Sequence, residues 1–142
     1  MSENDGSSTR PTLSSQEARR MIDAAAAAAE STSVTVAVVD ESGVTKEIAR
    51  MDGAPLVSVE TAMNKAYAAA AIGMPPDDFY AAIESDGAAV AEFATRPGLA
   101  LIAGGLPVLL DGRVAGAIGV AGAMTGAEDR RIAEAAIAAA SG

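Results

Sequence analysis

The stretch LPVLLDGRVAGAIGVAGA, residues 106–123, decides the fold. Its Asp111-Gly112 pair separates two apolar runs, and such a pair favours a two-residue type I′ turn, which joins antiparallel strands. Glycine recurs every three residues in the second run, at Gly116, Gly119 and Gly122. Glycine inside a strand marks a bulge or the close approach of a ligand or another backbone. The stretch therefore predicts a β-hairpin against which something packs closely.

A second hairpin is predicted nearer the N-terminus. The run VTVAVVD (Val34–Asp40) is β-branched and apolar on both faces, as in a central strand. A turn follows, and VTKEIAR (Val44–Arg50) returns as its partner. We interpret LALIAGG (99–105) as one more strand. Hairpins at both ends of the chain favour an antiparallel sheet, here of five strands.

Helices are predicted around these strands. Ser14 and Glu17 form a capping box before the first helix, and Thr125 and Glu128 form another before the last. Ser58 is the expected N-cap of a helix that runs to residue 72, and two short helices follow. The order α-β-β-α-α-α-β-β-β-α predicts one α+β domain over residues 13–142. Residues 1–12 are polar and are expected to form a disordered tail.

The composition limits both the core and the chemistry. There are 35 alanines, two Phe, two Tyr and no Trp, so the core must depend on close backbone approach rather than on bulky side chains. The absence of His and Cys excludes His general bases, thiol nucleophiles and zinc sites of the Cys/His type, and no metal site is predicted. A bound heme would need Tyr, Met, Lys or an oxygen ligand, or no protein ligand.

The net charge of −9 and a pI near 4.3 argue against nucleic acid and anionic membranes as partners. The N-terminal residues lack the apolar segment of a signal peptide. We therefore expect a cytoplasmic protein.

Lys65 is the first candidate site residue, because the chain has only one other lysine, Lys46. It lies midway along the predicted second helix among alanines that are too short to screen it. If that face is buried, Lys65 becomes a candidate base or amine nucleophile, with Glu60 or Asp77 as a partner. If the face is exposed, Lys65 is simply solvated.

Two backbone turns provide further candidates. Arg50 and Asp52 flank Met51, so Arg50 either binds a ligand carboxylate in a bidentate manner or forms an ion pair with Asp52. Gly104 and Gly105 end the predicted strand at 99–105, where paired glycines either present N–H groups to an anion or simply form a tight turn.

These segments together resemble a known family. VAVVDESG (36–43), ARMDGAPLVSVETAMNKAYAAA (49–70) and GGLPVLLDGRVAGAIGVAGAMTGAEDRRIAEAA (104–136) are similar, in order, to the motifs of the GlcG/HbpS-like family, which includes the PduO C-terminal domain. The resemblance covers about residues 13–140. It implies a profilin-like α-β-α arrangement around a five-stranded antiparallel sheet. It also implies a homo-oligomer, from dimer to octamer, and heme binding in some relatives.

The resemblance carries over to individual positions. The residues that match its motifs are Arg50, Asp52, Gly53, Lys65, Gly104, Gly105 and Pro107. The chain departs from the family where relatives often read S-G-G/V-x-x-x-Q-D, because AGAMTGAED has lost hydroxyl and amide groups and gained Met124.

Two functional hypotheses follow, and a third, an assembly subunit, rests on the alanine-rich helix faces. The first is a small-molecule-binding protein whose ligand, heme or another anionic compound, is held by Arg50 and Lys65 beside Gly104 and Gly105. The second is a cofactor-free isomerase, lyase, hydrolase or cyclase that acts on a small carbonyl or carboxylate compound. In that enzyme Lys65 would be the base or amine nucleophile and Arg50 the anchor, or Arg50 and Asp52 would form an acid/base pair.

Overall fold

The computed structural model describes residues 9–141 and contains one antiparallel sheet with helices on both faces. In chain order the elements are α1 (Ser15–Ala29), β1 (Thr35–Asp40), β2 (Thr45–Arg50), α2 (Val57–Ile72), α3 (Pro76–Ile83), α4 (Gly87–Ala94), β3 (Gly105–Leu110), β4 (Arg113–Ala121) and α5 (Gly126–Ser141). The strands lie in the order β2-β1-β4-β3, so β1 and β4 are central and the other two are edges.

The α+β class is confirmed, but the prediction of five strands is wrong, because the sheet has four. The segment 99–105 contributes only Gly105, the first residue of β3. The chain turns sharply before it, at Gly104 (φ +126°). The apolar run has turn or irregular backbone over residues 99–104 and joins neither edge strand, β2 or β3. It lies instead outside the sheet, where Ile102 is half-exposed.

Both predicted hairpins form. Strand β1 pairs antiparallel with β2, and β3 pairs antiparallel with β4. Asp111 and Gly112 both have positive φ (55° and 76°), as a type I′ turn requires. At the first hairpin a carboxylate oxygen of Asp40 accepts from the N–H groups of Ser42 and Val44, which is the ordinary structural use of a turn aspartate.

The sheet separates two apolar layers. Helices α1 and α5 cover one face, where Val36, Val38 and Ile118 are fully buried. Helix α2 covers the other face alone, against Ala37, Val39 and the small residues of β4. The result is an α-β-α sandwich in which the second layer is built almost entirely from alanine and glycine.

Helix α2 approaches the sheet as closely as backbone allows. A Cβ atom on Gly119 would lie 2.1 Å from the carbonyl oxygen of Ala62, and one on Gly105 would lie 2.4 Å from that of Lys65. Any side chain at either glycine would push the helix away. This contact confirms that the alanine-rich composition supports close backbone packing.

The start of α2 differs from the prediction that Ser58 is its N-cap. The helix begins at Val57, after Leu56, and no side chain caps it. The Ser58 hydroxyl is buried and donates to the carbonyl oxygen of Pro55, and it lies 2.8 Å from the hydroxyl of Thr35 in β1. Ser58 therefore joins the helix to the sheet because its side chain faces inward from the first turn.

Helices α3 and α4 form a hairpin that packs little on the rest of the protein. Only Pro76 among their residues is buried, and their own contact is an edge-to-face pair of Phe79 and Phe93 with ring centroids 5.2 Å apart. Arg130 of α5 holds α3 by donating to Asp77 and Asp78 over 2.9 and 2.8 Å. Hydrogen bonds from the guanidinium to Asp78, Glu134 and Asp77 raise the pKa of Arg130 above its ordinary value.

The predicted capping boxes form in full at α1 and in part at α5. The capping box at the start of α1 is confirmed in both directions. At α5 only half of the box forms, because Thr125 accepts from the Glu128 N–H while the Glu128 carboxylate pairs with Arg131.

The predicted tail, residues 1–12, lies mostly outside the described residues. Within 9–141 no helix is long and apolar enough to cross a membrane.

Candidate functional site

A buried ion pair forms the centre of the candidate site. The ammonium nitrogen of Lys65 donates to Oδ2 of Asp129 over 3.0 Å and to the carbonyl oxygen of Val120 over 2.9 Å. Oδ1 of Asp129 accepts from the Ala123 N–H over 3.0 Å. Lys65 is 2% exposed and Asp129 4% exposed, so the two charges neutralise each other away from water. The pair joins the middle of α2, the end of β4 and the first turn of α5.

Gly104 and Gly105 make room for this lysine. A Cβ atom on Gly104 would lie 2.8 Å from the Lys65 nitrogen and 2.5 Å from the Val120 oxygen. A Cβ on Gly105 would strike the backbone of Lys65 itself. The structure thus brings together three of the predicted site residues, and the glycines contact the lysine directly.

A cleft of about 480 Å³ opens beside the ion pair. Lys65 and Asp129 lie at its polar end, and its other walls are mainly apolar. The remaining lining residues are Pro55, Val57, Ser58, Thr61, Ile102, Ala103, Ala121, Gly122, Ala123, Met124, Thr125 and Gly126. A cleft of this size and character suits a small organic molecule.

The first turns of two long helices border the same cleft. Val57 and Ser58 begin α2, and Gly126 begins α5. The N-terminus of a helix carries a partial positive charge and N–H groups that the helix itself does not use. The charges of Lys65 and Asp129 are paired with each other, and the two helix ends favour an anionic group at the cleft in a chain whose net charge is −9.

Arg50 ends β2, and Asp52 lies in the turn that follows it, beside the cleft. The Arg50 guanidinium donates through Nε and Nη2 to the carbonyl oxygen of Ala54, over 3.1 and 2.8 Å. Ala54 directly precedes Pro55 of the cleft rim. Asp52 is exposed, and no ion pair joins it to Arg50 in the described part of the chain. The Arg50 side chain therefore stabilises the turn that leads into α2.

Sequence reasoning missed Asp129, the actual partner of Lys65. Of the two candidates considered, Glu60 is exposed and Asp77 pairs with Arg130. A signal was present, because AGAMTGAED ends in aspartate, as does the family pattern S-G-G/V-x-x-x-Q-D. Helix periodicity could not reveal it, since the pair joins residues 64 positions apart.

Known proteins share this fold and these sequence features. Residues 13–138 match the family model described as "Haem degrading protein HbpS-like". Protein GlcG of Escherichia coli K12 is 36% identical over 114 residues, which cover 79% of this chain and 83% of GlcG. A double mutant of HbpS from Streptomyces reticuli is 31% identical, with a TM-score of 0.85 and coverage of 98% of this chain and 94% of that one.

A structure described as a PduOC:heme complex is also similar. It is 28% identical with a TM-score of 0.81, and the match covers 90% of this chain and 94% of that chain. The family model spans nearly the whole chain and the structural matches extend over both layers of the sandwich. This protein is a member of the HbpS-like family.

Proposed function

We propose that this chain binds heme, or another flat compound with carboxylate groups, in the cleft between the starts of α2 and α5. The observation that carries the proposal is the cleft itself, with apolar walls and a polar end formed by two helix N-termini and the Lys65–Asp129 pair. The relation to a protein solved in complex with heme supports the choice of ligand class.

The walls of the cleft suit the flat face of a macrocycle. Val57 and Ile102 are 71% and 52% exposed although they line a cleft, so each presents a large apolar surface to water. Covering such surface stabilises a complex by about 25 cal/mol per Å² before the costs of association. Heme, when bound, would supply an iron centre for ligand binding or one-electron chemistry.

The charged groups of the ligand would lie at the polar end. Lys65 uses two of its three N–H groups on Val120 and Asp129, which leaves one for a ligand carboxylate. The N-terminus of α5, at Gly126, provides backbone donors on the same side. Arg50 is bonded to the carbonyl oxygen of Ala54, next to Pro55, and is the proposed second cation for a carboxylate.

No feature of the cleft favours the enzymatic alternative. The Lys65 nitrogen is already bonded to Asp129 at 3.0 Å and to the carbonyl oxygen of Val120 at 2.9 Å, and these contacts hold it inside the protein. Binding therefore accounts for the site without a reaction.

We also propose that the α3–α4 hairpin is the contact through which subunits associate. Only Pro76 of the two helices is buried, and Tyr80 of α3 is 38% exposed. A second copy of the chain would bury this surface. Native mass spectrometry of the wild type and of Tyr80→Asp tests this, and a wild type that is monomeric at micromolar concentration would contradict it.

Titration with hemin tests the ligand proposal. We expect a saturable shift of the Soret band, and we expect Ile102→Asp to weaken binding by about tenfold or more, because it places a charge against the macrocycle. Ile48→Asp is the matched control, since Ile48 is 40% exposed on β2 and does not line the cleft. Absence of saturable binding, or equal loss in both variants, would overturn the proposal.

A further inference from the structure

The cleft contains side-chain nitrogen and oxygen atoms, and each is already engaged within the protein. Lys65 and Asp129 bind each other. The engaged hydroxyl groups are those of Ser58, which donates to Pro55, Thr61, which donates to Val57, and Thr125, which accepts from the Glu128 N–H. These hydrogen bonds fix each group in place, so each could bind iron only from the position that it occupies now.

Met124 is different from all of these. Its thioether sulfur needs no hydrogen bond, and it is the one remaining heteroatom among the side chains that line the cleft. Sulfur of this kind is a soft ligand that binds heme iron in other proteins. The chain has no His and no Cys that could compete for that position.

The backbone around Met124 is fixed, whereas its side chain is not. The preceding Ala123 N–H is held by Asp129, and the following Thr125 caps α5. Met124 as a residue is 98% exposed, the highest value among the large exposed apolar residues in the described structure. Three rotatable bonds allow the sulfur to move over the cleft from this anchored position.

We propose that the thioether sulfur of Met124 is the protein's axial ligand to the iron of a heme bound in the cleft. This inference rests on the proposed function, because it requires heme in that cleft. It explains why a large apolar side chain is exposed to water at the mouth of an apolar cleft, and why the neighbouring backbone is nevertheless held by Asp129 and by the Thr125 cap.

X-ray absorption at the iron edge tests the assignment on heme-loaded protein. We expect an iron–sulfur scattering contribution in the wild type, its loss in Met124→Leu, and a lower heme reduction potential in that variant, since thioether ligation raises the potential. Met63→Leu is the matched control, because Met63 is also exposed but does not line the cleft. Met124→His should replace the sulfur contribution by a nitrogen ligand.

The outcomes separate the two proposals. Saturable hemin binding without a sulfur contribution in the wild type, or with one that persists in Met124→Leu, would overturn the ligand assignment and leave the proposed function standing. A wild type that binds no hemin would overturn both. Loss of the sulfur signal in Met124→Leu, with hemin affinity within about tenfold of the wild type, would support both.

Discussion

The ammonium group of Lys65 and the carboxylate of Asp129 lie 3.0 Å apart in the interior and connect the middle of α2 to the first turn of α5. The two residues belong to elements on opposite faces of the sheet. Their contact passes the end of β4, where the Val120 carbonyl also accepts from Lys65. The pair therefore holds the two helix layers together at the edge of the cleft.

Removing one partner of this pair should strongly destabilise the protein. Lys65→Met or Asp129→Leu leaves an uncompensated buried charge, and we expect each to lower the free energy of unfolding by about 3–5 kcal/mol. The double variant, with neither charge, should recover much of the loss. Urea denaturation measures all three. Glu92→Gln is a control, because its pair with Arg96 is exposed. Single variants within about 1 kcal/mol of the wild type would contradict the expectation.

Gly105→Ala should disturb the contact between α2 and the sheet. The added methyl group would lie 2.4 Å from the Lys65 carbonyl oxygen, and overpacking of this kind costs about 1–3 kcal/mol or more. Gly87→Ala adds the same atom where nothing lies within 4 Å. Thermal unfolding of the two variants should show a lower midpoint for the first only. Equal unfolding midpoints for the two variants would show that α2 can move away from the sheet without loss of stability.

Arg130→Met should release the α3–α4 hairpin from the rest of the protein. Its bonds to Asp77 and Asp78 are the ion pairs that connect α3 to α5 in residues 9–141. We expect faster amide hydrogen exchange across residues 76–94, with little change in the central strands. Arg131→Met is the matched control, because Arg131 pairs with Glu128 in its own helix. Unchanged exchange in the hairpin of Arg130→Met would contradict this role.

Glu17 should make the stability of α1 depend on acid pH. Hydrogen bonds from the backbone and side chain of Ser14 lower the pKa of Glu17 in the folded state. A lowered folded pKa adds stability above the unfolded pKa, and that stability is lost as the pH falls through the folded value. Glu17→Ala should therefore cost about 0.5–1 kcal/mol near neutral pH and less in acid.

Thermal unfolding of the wild type and Glu17→Ala over a series of pH values measures this difference. A difference between the two proteins that stays constant from neutral to acid pH would show that the carboxylate charge contributes nothing to the cap.

Local patterns in the sequence predicted much of the fold. Turn chemistry at Asp111-Gly112 and the capping box at Ser14 are decided by residues next to each other in the chain, and both were confirmed. The strand predicted over 99–105 failed for a non-local reason. An apolar run becomes a strand only if the chain brings it alongside the edge of a sheet, and the chain turns at Gly104 so that residues 99–103 lie outside the sheet.

Local sequence patterns predict only part of the candidate site as well. The scarcity of lysine drew attention to Lys65, and the glycine pair at 104–105 was identified by its residue type. The burial of Lys65 and the identity of its charge partner depend on how α5 meets α2. The partner, Asp129, lies in a first turn where an acidic residue is also explained by the helix dipole, so the aspartate shared with the family pattern does not by itself indicate an ion pair.

The backbone contact between α2 and Gly105 and Gly119 has a consequence for which residues of this protein can be substituted. Because main chain rests on main chain there, the height of the helix above the sheet does not depend on which side chains surround it. Residues at the mouth of the cleft, such as Ile102 and Met124, can then be exchanged without moving α2 relative to the sheet. The contact between α2 and the sheet can thus stay constant while the side chains at the mouth of the cleft change.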